Sequence, residues 1–266
     1  MTTPIALTIA GSDSGGGAGI QADLKTFSAL GVYGASVITA LTAQNTRGVS
    51  GIHDVPPAFV TAQMDAVLSD LAVGAVKIGM LSQPKVITAV VQGIRRYQQT
   101  NIVLDPVMVA TSGDRLISEE AVSVLRDKLV PLALIITPNL PEAAALLDKP
   151  MARNEHEMAG QARDLLKFGC KAVLIKGGHG TTAESVDLLV SADAEARLTA
   201  DRINTNNTHG TGCTLSSAIA AELAKGADLN AAVRAAKAYL TAALAAADTL
   251  TIGKGAGPVH HFYRWW

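Results

Sequence analysis

The sequence predicts an α/β fold in which helices cover both faces of a mainly parallel sheet. Short apolar runs with β-type residues alternate along the chain with longer segments whose apolar residues recur at helical spacing. Polar residues follow several of these runs directly, at the sheet edge where parallel strands end and ligands bind. Aromatic residues make up only 4% of the chain, and alanine is abundant, which favours helices packed on strands of small and β-branched residues.

Length and composition indicate one packed domain. The 266 residues contain no linker-like, repetitive or low-complexity stretch, so we expect a single domain over residues 1–266. A net charge of −1 with scattered lysines and arginines excludes an electrostatic footprint for nucleic acid or an anionic membrane. The first apolar run, residues 5–10, is too short for a signal peptide or a membrane span, and two cysteines make no disulfide framework. We therefore expect a cytoplasmic protein.

The first strand, residues 5–10, leads into a glycine-rich turn and then a helix over residues 20–30. The turn lacks the Gly-Lys-Ser/Thr of a Walker loop and the spacing of a dinucleotide-binding turn. Asp23 lies beside the apolar stripe of the helix, one turn beyond the glycines. A carboxylate there either stabilises the helix start or contacts a ligand, and its place beside the turn favours the ligand.

The remaining elements alternate in the same way. We expect strands over residues 33–39, 75–79, 101–104, 133–136 and 172–175, and helices over residues 56–71, 82–98, 118–129, 138–147 and 154–168. An antiparallel pair over residues 186–190 and 196–199 and two helices over residues 213–225 and 229–249 follow. Residues 41–46 are expected to form a loop, and Ser82 is expected to cap the helix that it precedes.

A glycine-punctuated loop, residues 207–213, leads straight into the helix over residues 213–225. Its small residues let several backbone N–H groups point to one spot, and the helix start adds unpaired donors and a partial positive charge. That arrangement suits an anion such as phosphate, although glycine and threonine are also ordinary in a turn. Gly210, Thr211 and Gly212 are therefore candidate anion-binding residues.

Six residues stand just past the ends of predicted strands: Gly11, Gln44, Met80, Asp105, Asn139 and Lys176. Each has an ordinary explanation on its own. Lys176 can be a solvated lysine, Met80 a core residue, and Asn139 an N-cap that forms a capping box with Glu142. Their convergence on one edge, together with the anion-binding loop, favours a functional site.

The chemistry of these residues suits phosphoryl transfer. Lys176 and a helix N-terminus neutralise phosphoryl oxygens, and Asp105 and Glu142 are suited to hold Mg²⁺ directly or through water. Cys213 stands where helical N–H groups and the helix dipole would lower the pKa of a thiol, so that a thiolate could accept the proton of a substrate hydroxyl. The alternative is that Cys213 is simply a small buried residue.

Six motifs in order carry a resemblance to a known family. They are residues 15–23 (GGGAGIQAD), 42–46 (TAQNT), 77–80 (KIGM), 137–142 (TPNLPE), 176–179 (KGGH) and 208–213 (THGTGC). From about residue 5 to residue 262 the chain resembles the bacterial hydroxymethylpyrimidine/phosphomethylpyrimidine kinases of thiamine biosynthesis, within the ribokinase superfamily. The resemblance implies a three-layer α/β/α ribokinase-like fold. It also implies transfer of the ATP γ-phosphate to 4-amino-5-hydroxymethyl-2-methylpyrimidine, and then to the resulting monophosphate.

The resemblance assigns roles to matching positions. The implied pyrimidine pocket consists of Gln44, which binds the aminopyrimidine edge, with Asp23, Met80, Val107 and Gly11. The implied catalytic and ATP-binding residues are Cys213, Lys176, Gly210, Thr211, Gly212 and Asn139, and Asp105 and Glu142 would organise Mg²⁺. Most sugar kinases of the superfamily carry an aspartate as base at the position of Cys213. Since the family is generally homodimeric, a homodimer is implied as well.

Two alternatives remain open at this point. A pyridoxal or pyridoxine kinase, including one that acts on both kinds of compound, shares the fold, ATP and a hydroxymethyl acceptor on an aromatic ring. A non-catalytic nucleotide-binding module would bind ATP without releasing ADP, but it leaves Lys176, Glu142 and Cys213 unexplained. The glycines around Gly113 and Gly178 are candidates for a loop that closes over the site.

Overall fold

The structure, a computed structural model, describes residues 2–108, 117–178 and 184–266. Its strands are β1 (Ile5–Asp13), β2 (Tyr33–Asn45), β3 (Gly48–Asp54), β4 (Ala75–Ile78), β5 (Ile102–Leu104), β6 (Ile135–Ile136), β7 (Ala172–Lys176), β8 (Glu184–Ser191) and β9 (Glu195–Asp201). Its α-helices are α1 (Gly19–Ala29), α2 (Pro57–Leu68), α3 (Pro84–Arg96), α4 (Glu119–Val124), α5 (Leu140–Leu147), α6 (Glu155–Leu166), α7 (Thr211–Ala224) and α8 (Leu229–Ala245). Gly113 and His179, the last residue of the 176–179 motif, lie outside the described residues.

The strands described form one nine-stranded sheet in the order β3-β2-β1-β4-β5-β6-β7-β8-β9. The six neighbouring strands β2, β1, β4, β5, β6 and β7 are parallel to one another. At one edge β3 pairs antiparallel with β2, and at the other edge β8 pairs antiparallel with β7 and with β9. The carboxyl ends of the parallel strands therefore meet at one edge of the sheet. The predicted mainly parallel sheet and the late antiparallel pair are both confirmed.

Each face of the sheet carries its own core, because successive strand residues point to opposite faces. Leu7 and Ile9 of β1 belong to the core under α2 to α6, whereas Ala6 belongs to the core under α1, α7 and α8. The three-layer arrangement is therefore confirmed. Among the described residues, no helix combines the length and apolar character needed to cross a membrane.

Two local predictions are wrong. Residues 41–45 continue β2 and pair with β3, a strand that was not predicted, so Gln44 lies on a strand and not in a loop. The sequence of β3 has no apolar run because the strand is an exposed edge held by backbone hydrogen bonds. Ser82 does not cap α3, which begins at Pro84; its hydroxyl donates to the Asp54 carboxylate instead.

A buried ion pair joins four elements beneath the carboxyl edge. The Lys77 Nζ of β4 lies 2.9 and 2.8 Å from the two carboxylate oxygens of Asp23 in α1. The hydroxyls of Thr8 in β1 and Ser217 in α7 donate to the same carboxylate, each at 2.6 Å. All four residues are fully buried. Burial alone would lower the pKa of Lys77, but the Asp23 carboxylate raises it above the usual range, so the lysine stays charged.

We expect Lys77→Met to destabilise the fold by about 3–5 kcal/mol, because it leaves the Asp23 carboxylate buried without its counter-charge. The free energy of unfolding from guanidinium titration measures this. The double variant Lys77→Met/Asp23→Leu should recover a large part of the loss, since neither charge of this pair remains.

The exposed pair between Lys149 and Asp164 provides the control. Lys149→Met should cost about 1 kcal/mol or less, because solvent screens that pair. A similar small loss in Lys77→Met would contradict the importance assigned to the buried pair.

Candidate active site

A cavity of about 720 Å³ opens at the carboxyl edge of the sheet. One part is walled by the ends of β1, β2, β4 and β7 and by the start of α7, and the other part extends between the β8–β9 pair and the α7–α8 pair. Of the predicted site residues, those that line it are Gly11, Gln44, Met80, Asp105, Val107, Asn139, Glu142, Lys176, Gly210, Thr211, Gly212 and Cys213. The structure thus brings together every predicted site residue except Asp23.

Asp23 lies beneath the cavity instead of in its wall. Its oxygens accept hydrogen bonds from Lys77, Thr8 and Ser217, and its side chain is fully buried. A carboxylate on the inward side of α1 needs a buried partner, and the sequence did not reveal that Lys77 supplies it. Lys77 does line the cavity.

The end of the cavity formed by β1, β2 and β4, where we expect the acceptor, is shaped by closely packed backbone. A methyl group at Gly11 would lie 3.3 Å from the Met80 Cε, so the two residues are in contact. The Thr42 hydroxyl donates to the Ser12 carbonyl oxygen at 2.7 Å, and its oxygen lies 3.0 Å from the Gln44 side-chain amide. The Ser14 side chain bonds both the N–H and the carbonyl oxygen of Gln44, each at 2.8 Å, and so attaches the end of β2 to the glycine-rich turn.

Asp13 organises that turn, and sequence reasoning missed it. Its carboxylate accepts the backbone N–H groups of Gly15, Gly17 and Ala18 at 2.8, 3.0 and 2.8 Å. The His209 Nε2 lies 2.9 Å from the same carboxylate. Burial alone would raise the pKa of Asp13, but these hydrogen bonds hold it below the usual value. The turn is therefore folded around a carboxylate of its own chain.

Lys176 lies at the charged centre of the cavity. Its Nζ is 2.8 Å from the Asp105 Oδ1 and 3.8 Å from the Glu142 Oε2. The Thr137 hydroxyl donates to Asp105 at 3.1 Å. The Ser216 hydroxyl lies 3.2 Å from the Asp105 Oδ2 and 3.0 Å from the carbonyl oxygen of Gly212 in its own helix. Burial opposes ionisation of both partners, yet each charge sustains the other, so the pKa of Asp105 is lowered and that of Lys176 raised.

Asn139 and Glu142 form the capping box that their spacing suggested. The Asn139 side chain accepts the Glu142 N–H, and the Glu142 Oε2 accepts the Asn139 N–H, both at 2.8 Å. The ordinary explanation is therefore correct for these bonds, although both residues also line the cavity. Burial raises the pKa of Glu142 to about 7, against the attraction of Lys176 and with added repulsion from Asp105.

The start of α7 faces Lys176. Gly210 caps the helix with a φ of 79°, in the left-handed region that favours glycine. A methyl group at Gly212 would lie 3.2 Å from the Lys176 Nζ and 3.6 Å from the Asp105 Oδ2. The backbone of the first helical turn and the lysine are thus close enough to bind one anion together.

The expected low pKa of Cys213 is wrong. Enclosure of the sulfur raises its pKa to about 11, and the charges of Asp23 and Asp105 add to this, against the opposing charge of Lys77. The helix start does not overcome these effects. Cys213 is therefore a thiol at neutral pH.

The far part of the cavity contains two residues that sequence reasoning did not select. The Lys237 Nζ of α8 bonds the Asp187 Oδ2 of β8 at 2.7 Å, and the Asp187 Oδ1 accepts the Gly177 N–H at 2.9 Å. Leu240 and Leu244 add apolar surface beside them. Only knowledge of how β8 and α8 pack on each other could have placed these residues next to Lys176.

The fold and this site define a small-molecule kinase of the ribokinase-like class. Residues 13–260 match the phosphomethylpyrimidine kinase family. The chain belongs to that family.

Its relatives agree with this assignment. The chain is 62% identical to the hydroxymethylpyrimidine/phosphomethylpyrimidine kinase of Rhizobium meliloti, over 99% of both chains. A phosphomethylpyrimidine kinase structure from Clostridium difficile has a TM-score of 0.80 at 46% identity, covering 89% of this chain and 97% of its own. The Bacillus subtilis pyridoxal kinase, solved as an ADP complex, has a TM-score of 0.91 at 37% identity, covering 98% of each chain.

Alkylation by iodoacetamide tests the protonation state of Cys213. With a pKa of about 11, the alkylation rate should rise about tenfold per pH unit from pH 7 to about pH 10, because the thiolate is the reactive form. The variant Cys170→Ala leaves Cys213 as the single thiol, and Cys213→Ala measures the background from Cys170. An alkylation rate that stays constant between pH 7 and pH 8 would instead show that the pKa of Cys213 is low.

Proposed function

We propose that this protein transfers the γ-phosphate of ATP to 4-amino-5-hydroxymethyl-2-methylpyrimidine and then phosphorylates the monophosphate to the diphosphate, in thiamine biosynthesis. One observation carries the proposal: Lys176, paired with Asp105, stands beside the first turn of α7 in the same cavity as Gln44. Full-length identity of 62% to a relative of that name supports the same reaction.

The acceptor binds at the end of the cavity formed by β1, β2 and β4. Gln44 offers one acceptor and two donors to the aminopyrimidine edge, and its amide lies 3.0 Å from the Thr42 hydroxyl. Gly11, Met80 and Val107 supply close-packed backbone and apolar surface to the ring. This arrangement leaves the hydroxymethyl group to point toward α7.

The transferring phosphoryl group lies between Lys176 and the N–H groups of Gly210, Thr211, Gly212 and Cys213. These donors are fixed before substrate binds, and preorganised charge stabilisation of this kind is the main requirement of phosphoryl transfer. Asn139 and Thr211 are proposed to contact the nucleotide. The apolar surface between β8 and α8 is proposed to take its base.

Mg²⁺ belongs to the proposal because the donor set fits it. Asp105 and Glu142 offer carboxylate oxygens at the charged centre, and Mg²⁺ typically combines one or two carboxylates with phosphate oxygens and water. In the part of the chain that the structure describes, no three metal-ligating side chains group together, which suits a cation held largely by the nucleotide. When bound, the cation would neutralise charge between the phosphates. A homodimer and a single domain over residues 1–266 remain predictions.

ADP release with ATP and Mg²⁺ tests the function, with hydroxymethylpyrimidine, its monophosphate and pyridoxal offered in parallel. We expect turnover of both pyrimidines and little of pyridoxal, whose kinases are the less identical relatives. Gln44→Ala should raise the pyrimidine KM about tenfold or more and leave the ATP KM unchanged, because Gln44 is assigned to the acceptor alone.

Asn45→Ala is the matched control, since Asn45 follows Gln44 on β2 and is exposed. Pyridoxal turnover equal to that of the pyrimidines would make the protein a dual kinase. ATP binding without ADP release from any acceptor would support the binding-module alternative.

The two acceptors separate the role of Cys213 from that of Lys176. The first acceptor is an alcohol that must lose a proton, whereas the second is a phosphate monoester that is already ionised at pH 8. With a pKa of about 11, Cys213 can act as base only through its small thiolate fraction, so kcat on the alcohol should rise with pH above pH 7 in wild type. Cys213→Ala should abolish that rise and change kcat on the monophosphate less than about threefold. Lys176→Ala should reduce kcat about 10²–10³-fold on both acceptors.

Lys171→Ala, at the exposed start of the same strand region, controls for loss of a lysine. An equal loss on both acceptors in Cys213→Ala would argue against a role as base. It would assign Cys213 to the anion-binding turn instead.

A further inference from the structure

Two loops meet between the acceptor end and the anion-binding end of the cavity. The glycine-rich turn after β1 contributes Ala18 and Gly19 to the cavity wall, and the loop before α7 ends at the helix cap, Gly210. Their backbones touch: a methyl group at Gly210 would lie 1.9 Å from the Gly17 carbonyl oxygen. The position of one loop therefore determines the position of the other.

The contact between Asp13 and His209 joins the two loops. The His209 Nε2 lies 2.9 Å from the Asp13 Oδ2, across 196 positions of sequence. Only 2% of Asp13 and 7% of His209 is exposed, so solvent weakens this hydrogen bond little. Because Asp13 also holds three N–H groups of the turn, His209 is attached to the turn as a whole.

His209 is held from two further directions. A methyl group at Gly17 would lie 2.3 Å from the His209 Cδ2, so the imidazole packs directly on the backbone of the turn. The His209 N–H donates to the Gly257 carbonyl oxygen at 3.0 Å. One histidine thus connects the turn, the segment around Gly257 and the residue that caps α7.

We propose that Asp13 and His209 are positioning residues that set the distance between the bound acceptor and the anion-binding start of α7. The inference rests on the proposed function. Both residues act through others, Asp13 through Ala18 and His209 through Gly210. In-line phosphoryl transfer depends on this geometry, since a misplacement of about 1 Å can cost about a hundredfold in rate.

The variant His209→Phe keeps a ring of similar size and removes the Nε2. We expect kcat to fall about tenfold or more on both pyrimidines, while the KM values for ATP and pyrimidine change by less than about twofold. His209→Gln, whose amide can bond Asp13, should keep kcat within about threefold of wild type. If His209 were purely structural, His209→Phe would lower thermal stability, but kcat would not fall separately from KM and His209→Gln would not restore it.

Gly17→Ala gives an independent variant that removes no functional group. Its methyl displaces the imidazole, so its kcat should fall as in His209→Phe. Hydrogen exchange followed by mass spectrometry tests the contact between His209 and Asp13 without any substrate. Residues 205–216 should exchange faster in His209→Phe and at the wild-type rate in His209→Gln.

The outcomes separate this inference from the proposed function. Wild-type kcat in folded His209→Phe, or equal losses in the Phe and Gln variants, would overturn the positioning role. If wild type phosphorylates neither pyrimidine, the proposed function fails. Hydrogen exchange still tests whether His209 holds the loop before α7, and unchanged exchange of residues 205–216 in His209→Phe would contradict that. Should His209→Phe fail to fold, Gly17→Ala and His209→Gln decide by the same criteria.

Discussion

The buried ion pair between Lys77 and Asp23 is the interaction on which the arrangement of the site depends. Ser217 of α7 donates to Asp23, and the hydroxyl of its neighbour Ser216 lies 3.2 Å from Asp105, the carboxylate of the second buried pair. Two adjacent serines of one helix therefore contact two aspartates, Asp23 of α1 and Asp105 at the sheet edge. These contacts hold α7 against the sheet from inside the core. They therefore fix the position and the orientation of its first turn at the cavity.

The two parts of the cavity are built from different kinds of element. The charged centre rests on parallel strands and on a helix fixed by buried bonds, whereas the acceptor end is formed by a glycine-rich turn and a two-stranded hairpin. Phosphoryl transfer from ATP needs the same charges whatever the acceptor is. In the proposed function, the turn and the hairpin are the parts that fit the shape of the acceptor.

Hydrophobic periodicity and the rule that ligands bind at strand ends predicted the layers and most of the cavity wall, because both depend on local sequence. Asp23 was misplaced because its partner Lys77 is 54 residues away and only folding makes them neighbours. The strand β3 was missed because an exposed edge needs no apolar pattern. The pKa of Cys213 was wrong because enclosure and two carboxylates, which come from other elements, outweigh the helix start. Distant partners thus account for the main errors.

The contact of His209 with Asp13 on one side and with Gly257 on the other also has a meaning for synthesis of the protein. During translation, the turn after β1 emerges first, His209 emerges later, and the segment around Gly257 emerges last. Until that segment has emerged, a growing chain can pair its parallel strands but cannot fix the loop before α7. In the proposed arrangement, the loop before α7 is therefore positioned only in a chain that extends through Gly257.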